Sequence, residues 1–430
     1  MLRVLAQATF ITAIATLLVK LAGFGKDLCI ARFFGLSAEI DLFLLLFSAT
    51  LLLSAIVSGS AVYTLQPIIA HDKAKGDPAE AHFLAQQILT IVAMTLFVLG
   101  VAACALWSLG IRPAFSAIDP QLVALLPWAF IPYLILNGTA AILQAVGNSH
   151  QLFFRCGVVG AITPLVTVLL LYSTQSNSLW LLTASIVLGA LLELVVFRSI
   201  VHRTGFVAAL KFPLWNARLK QVLISSAFLT VGYVANSLNI MVDQLMAMQF
   251  GEGAVATLTF ASKLPALIVG VLGFAAATAF LPTISSIMAN GEGGRALHLV
   301  RQATLALGLL GIICALGLGL PAEALTSLLF ERGAFDSADV ERVAGVMQLY
   351  SLLPLATMIG LPANRVLVAL GLSRILMLWS VGGVALNVLL NLLFGRWIGL
   401  PGLALSTVVV AATVSIGLLV ITHQRLRSCS

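Results

Sequence analysis

Three lysines and a few carboxylates lie where a 430-residue chain that is 60% apolar can least easily hold charge. Lys20 and Lys26 stand six residues apart in the first apolar run, with Asp27 beside the second of them. Lys263 lies well inside another run, and Asp41, Asp243 and Glu193 fall in or at the start of similar stretches. Ionisable groups in a hydrocarbon layer are expensive, so each is a functional candidate until a partner explains it. Asp27 can neutralise one lysine, which leaves the other and Lys263 still in need of anionic company. Three lysines with acidic neighbours describe a cationic cavity. Phosphate is the ligand chemistry that suits it, Lys acting as a point charge. Glu193, near Arg198, reads as structural. Asn137, Asn236, Asn239, Gln144 and Gln244 either line a cavity or bond between helices.

Other chemistries lack their parts. The sequence contains no GxxxxGK[ST] loop, HExxH or GxSxG motif, and its six His residues fall near the ends of apolar runs or between them. The five Cys residues are scattered singly, without CxxC pairs, so neither a disulfide framework nor a metal site is expected. The expectation is a transporter without a catalytic centre or cofactor. A net charge of +7 would raise nucleic-acid binding in a soluble protein. Here the excess of Lys and Arg is expected to orient membrane helices, and no nucleic acid is expected as a partner.

The elements that must position these groups are transmembrane helices. A mean hydropathy of +1.09 with only 9% charged residues excludes a soluble enzyme. Long apolar runs exclude an outer-membrane barrel, whose strands would alternate. The apolar runs predict twelve spans, near 8–34, 41–70, 85–110, 121–147, 152–173, 179–201, 219–249, 254–288, 297–319, 339–369, 373–395 and 400–423. The first resembles a signal peptide but continues as a helix and reads as an uncleaved span. Gly23 and Gly25, Pro132, Pro164, Pro265, Pro354 and Pro362 lie inside spans longer than a bilayer requires and predict tilt and kinks. With the N-terminus inside, fifteen Lys and Arg fall on the inner side against five on the outer, which predicts that both termini are cytoplasmic.

The segment HRTGFVAALKFPLWNARLK divides the chain into an N-lobe (1–205), a cytoplasmic connector (206–218) and a C-lobe (219–430), each lobe with six spans. The halves also repeat. KDLCIARFFGLSA at 26–38 aligns with VDQLMAMQFGEGA at 242–254, matching Asp27 to Asp243, Phe34 to Phe250, Gly35 to Gly251 and Ala38 to Ala254. Six spans per half make the repeat parallel. The expected fold is an all-α integral membrane protein of about twelve helices in two six-helix lobes related by that repeat.

LAGFGKDLCIARFFGLSAEIDLF at 21–43, the run SLNIMVDQLMAMQFGEGAVATLTFASKLPALIVG from 237, LFERGAFDSADV at 329–340 and RVLVALGLSRILM at 365–377 occur in consistent order. Together they resemble the MurJ/MviN lipid II flippases of the multidrug/oligosaccharidyl-lipid/polysaccharide exporter superfamily. The resemblance implies a flippase of the bacterial cytoplasmic membrane that moves a polyprenyl-pyrophosphate-linked glycan by alternating access. Lys20, Lys26, Lys263 and Asp41 are then the substrate-binding residues, and Asp27, Asp243 and Asn239 serve coupling or cavity structure. Coupling would be to the membrane potential or a monovalent ion gradient. The implied partners are the lipid-linked glycan, the bilayer and envelope-synthesis proteins. The three lysines stand where the family's cavity arginines are usual, and Ser54 where another Arg is expected. Twelve spans compare with the family's fourteen, whose last pair forms a lipid-tail groove, so the cargo expected is lipid II or a related glycan. A multidrug or cation antiporter of the superfamily is the main rival, one that would favour an acidic cavity. A non-transporting scaffold for envelope synthesis gives no reason for buried lysines.

Overall fold

The computed structural model describes the backbone of residues 2–75, 78–213, 215 and 217–427. Their side chains are described except at 2–12, 60, 61, 63, 73–75, 78, 217, 221, 225–233, 236, 274–279, 281, 282 and 289. Asn236 thus lies outside the described side chains. Every regular element among the described residues is helical. The first half holds α1 (Leu2–Phe34), α2 (Ala38–Ser54), a π-helical turn (Ala55–Gly59), α3 (Ser60–Lys75), α4 (Pro78–Ser108), α5 (Pro120–Ser149), α6 (Phe153–Val159), α7 (Ile162–Thr174) and α8 (Leu179–His202). After a non-helical connector come α9 (Ala217–Ala247), a 3₁₀ turn (Met248–Phe250), α10 (Ala254–Ala289), α11 (Gly293–Gly319), α12 (Ala322–Phe330), α13 (Ser337–Tyr350), α14 (Leu353–Met358), α15 (Leu361–Ala369), α16 (Ser373–Ile398) and α17 (Leu400–Arg427).

Among the described residues ten stretches are long and apolar enough to cross a membrane, and they coincide with ten of the twelve expected spans. The other two expectations, 8–34 and 219–249, fall on α1 and α9, which include side chains outside the described set. The chain is an all-α, multi-pass membrane protein. Within a bilayer the backbone must satisfy itself, which helices do and open strands do not.

The chain forms two compact units, Met1–Phe34 with Ala38–Met241, and Gly35–Ser37 with Val242–Ser430. The first is built around Leu65, Ile69, Ile88, Val92, Leu134, Val146 and Phe197, where α3, α4, α5 and α8 meet. Small residues let these helices approach: a Cβ at Gly189 of α8 would stand 2.6 Å from the Cα of Thr163 on α7. At the start of α9, Arg218 bridges Glu80 at 2.8 Å and Asp72, tying three helices together. Burial opposes the charge on this guanidinium, yet its hydrogen bonds to Glu80 and Asp72 outweigh that and raise its pKa. The connector lies along α4, its Val207 carbonyl accepting from Gln86 at 2.7 Å and its Lys211 N–H donating to Thr90 at 2.9 Å. Phe206 is fully buried, edge-on to His82.

In the second unit the expected kinks at Pro354 and Pro362 are realised as breaks. The span 337–369 is three short helices, each proline lying in a first helical turn, where its missing N–H leaves no hydrogen bond unmade. The repeat register is visible in the backbone. Helix ends at Phe34 and at Phe250, Gly35 and Gly251 both have positive φ (57° and 95°), and helices restart at Ala38 and Ala254. Gly35 could not be another residue cheaply, since a Cβ there would lie 2.5 Å from the Ala334 carbonyl oxygen.

Candidate functional site

Asp27 and Asp243 each lie seven residues before a helix end, at Phe34 and Phe250 respectively, and both are buried. Their surroundings differ. In the first unit Asp27 Oδ1 is 3.1 Å from Lys26 Nζ, and both side chains are about nine-tenths buried. The ammonium group also sits 4.9 Å from the centre of the Phe47 ring. Phe47 stacks on Tyr133 of α5 at 5.6 Å, and Phe43 packs on Phe130, so the lysine caps an aromatic ladder that bridges α2 and α5. Cation–π attraction and the ion pair together accommodate the lysine among apolar groups.

In the second unit the carboxylate of Asp243 is held by neutral donors. Asn391 Nδ2 donates to Oδ1 at 2.7 Å and Thr407 Oγ1 to Oδ2 at 3.0 Å. The second amide hydrogen of Asn391 reaches Asn387 Oδ1 at 3.2 Å, and its Oδ1 accepts from Ser406. The amide therefore uses both donors and its acceptor. The Thr407 hydroxyl also lies 3.0 Å from the Leu403 carbonyl, and its single proton serves one acceptor at a time. Asn387 and Asn391 are one helical turn apart on α16, and Ser406 and Thr407 face them from α17. None of these four was a sequence candidate. Their signal in the sequence is two Asn at i, i+4 inside an otherwise apolar run.

Asp41 is buried in the first turn of α2, where free backbone N–H groups and the helix dipole favour an anion. Lys20 lies six residues before Lys26 on α1, about 240° of helical rotation, so it shares a face with Asp27 rather than with Lys26. Lys263, half-buried on α10, and Asp243 belong to the second unit, whereas Lys20, Lys26, Asp27, Asp41 and Asn239 belong to the first. Asn239, four residues before Asp243 on α9, has a buried Oδ1 with no partner among the described residues, and the same holds for Gln244 Oε1. Glu193 accepts the Thr163 N–H at 3.0 Å and so satisfies the first turn of α7 after the break at Gly160.

The family model described as "Lipid II flippase MurJ" matches residues 30–429. This chain belongs to that family. A probable lipid II flippase MurJ from Rhizobium tropici is 23% identical over 96% of this chain and 79% of its own length. The lipid II flippase MurJ of Burkholderia cenocepacia is 24% identical over 78% of this chain and 68% of its own. Among solved structures, a lipid II flippase MurJ in an inward closed conformation superposes with a TM-score of 0.81 at 17% identity, covering 96% of this chain and 87% of that one. A Vibrio cholerae MATE transporter shares the fold at a TM-score of 0.70 and 15% identity, over 99% of this chain and 98% of that one. At the MurJ position where an Arg is expected, Ser54 donates to Asn137 Oδ1 at 2.8 Å and accepts nothing cationic among its described contacts. The polar link between α2 and α5 in this MurJ-family chain is thus neutral.

Proposed function

We propose that this chain translocates lipid II, or a closely related polyprenyl-pyrophosphate glycan, across the bacterial cytoplasmic membrane by alternating access. The observation that carries the reading is the family match across 30–429, joined to a fold shared over nearly the whole chain with a lipid II flippase structure. Lys20, Lys26 and Lys263 engage the pyrophosphate, with Asp41 setting the local charge. Lys26 supports this role because Asp27 and the Phe47 ring hold its amine in place within an apolar setting. Both termini face the cytoplasm, and envelope-synthesis proteins are the partners.

Asp243 is the coupling group. Its carboxylate is buried, ringed by amide and hydroxyl dipoles, and its described partners are all neutral, so a proton or a monovalent cation is what would neutralise it. Asn239 and Asp27 then maintain the cavity structure. The test is complementation of a strain depleted of its lipid II flippase. Rescue by this chain, lost in Lys263→Gln at unchanged expression, is the expected result. Failure to rescue together with conferred drug resistance would transfer the chain to the cation antiporters. Labelling of a cysteine at Lys211 from outside the cell would overturn the orientation.

A further inference from the structure

The connector between α8 and α9, which lies wholly in the first unit, carries its apolar side chains on the outside. Val207, Leu210, Phe212 and Trp215 are all exposed, Phe212 at 81% and Trp215 at 73%. Four such side chains within nine residues form a patch that marks an interaction surface. The backbone shows where the patch lies. Phe206 is buried against His82 of α4, the Val207 carbonyl accepts from Gln86, and the Lys211 N–H donates to Thr90. The chain therefore runs along one face of α4 from residue 82 to residue 90, about 12 Å of helix. It then returns, because Arg218, seven residues after Lys211, is ion-paired with Glu80. The connector is an out-and-back loop whose far point lies near Lys211.

That far point reaches bilayer depth. α4 has 31 residues, about 46 Å of helix, whereas the hydrocarbon layer is about 30 Å thick. At most about 16 Å of a spanning α4 can project on the connector side, and Thr90 lies about 18 Å from its first residue. The side chains of α4 agree. Met94 and Phe97, one and two turns beyond Thr90 on the same face, are exposed, as lipid-facing residues of a span are. The loop thus covers the polar start of that face and stops where its lipid-facing part begins. Irregular backbone at such depth is tolerated only where its polar groups are satisfied. Gln86 and Thr90, polar residues within a spanning helix, satisfy two of them, and Pro213 near the far point has no N–H to satisfy.

We propose that this loop is seated in the bilayer, its partner being the lipid of the leaflet at the α4 N-terminus: Leu210, Phe212 and Trp215 enter the acyl chains just below the headgroups, and Lys211, exposed among them, reaches the headgroup phosphates. Continuity selects lipid over a soluble protein, since the apolar strip adjoins the surface on which α4 already meets lipid. Trp and Lys beside an apolar patch are the residues that settle at this level of a membrane. The inference rests on the membrane-spanning character of the chain and not on the cargo assigned above.

The test uses the purified full chain reconstituted in phosphatidylcholine vesicles whose acyl chains carry bromine either near the headgroup or near the chain end, with tryptophan fluorescence as the readout. The emission component that Trp215→Phe removes should be lost mostly with the shallow bromines, less with the deep ones, and least with iodide supplied on both sides of the membrane. Phe212→Trp in the Trp215→Phe background places a second reporter in the loop and should repeat that order, so the result does not hang on one variant folding. Iodide proving the strongest quencher would overturn the proposal and leave the strip to a soluble protein partner. The deep bromines proving strongest would overturn it too, because the loop would then lie far below the headgroups. Flippase activity is read separately by complementation, so loss of one reading does not remove the other.

Discussion

Asp27 and Asp243 occupy matching places in the repeat, yet the two units handle a buried carboxylate in opposite ways. Around Asp27 the charge is cancelled by the neighbouring lysine at 3.1 Å. Around Asp243 it is solvated by amides and a hydroxyl, at 2.7 and 3.0 Å, and remains a net negative charge among its described partners. The first arrangement joins the carboxylate to a cation. The second has capacity left for a small positive species, which is the reason coupling is proposed for Asp243 rather than for both aspartates.

The comparison can be broken most decisively at Asp243. Asp243→Asn keeps the shape and removes the charge, so translocation should fall to background in a reconstituted assay while the unfolding temperature in detergent changes little. Substantial residual transport would mean that the solvated carboxylate is not the coupling group. The opposite pattern is expected at Asp27. Asp27→Ala strands a buried ammonium ion and should destabilise the protein by about 3–5 kcal/mol, with the double variant Lys26→Gln/Asp27→Asn recovering much of the loss. Equal losses in single and double variants would show that the ion pair is not the unit of stability.

A smaller effect is expected from Thr407→Val, which removes one hydrogen bond to a charged group and should cost about 1.5–3 kcal/mol in thermal unfolding. The smallest comes from the repeat glycines. Gly251→Ala meets nothing within 4 Å and bears only the strain of φ 95°, ψ −174°, a region essentially confined to glycine, at about 1–3 kcal/mol. Gly35→Ala bears the strain of its own positive φ and a clash with the Ala334 carbonyl, so its unfolding temperature should be the lower of the two. Equal temperatures would show that the close approach at Gly35 relaxes without cost.

The spans were legible because apolar runs of membrane length have few other uses, and the repeat because Gly35 and Gly251 mark backbone turns that other residues avoid. The Lys26–Asp27 pair was legible as adjacent opposite charges. The Asp243 cluster was legible only at its acid. Its other members are neutral residues on α16 and α17, some 150 positions away, and an Asn or Thr in a span can equally be a local helix bond, as Thr139 is to Ile135. What distinguishes the two cases is which helices pack together, and no short-range pattern encodes that.

The thrice-divided span 337–369 bears on how the protein is made. A segment whose hydrogen-bond ladder tightens to i→i+3 bonds at Leu352 and again at Gly360, and loses an N–H to proline just after each, is poorly suited to rest alone in lipid after it leaves the insertion machinery. Its supports are Gly311 of α11, where a Cβ would lie 2.6 Å from the Leu355 Cα, and Ser415 of α17, whose Cα would lie 2.9 Å from a Cβ at Gly360. The first support is already in place when the segment emerges, whereas the second is translated more than forty residues later. During that interval the segment is a half-assembled intermediate, and release of the nascent chain before α17 should leave it open to membrane proteases even though every residue that forms it has been synthesised.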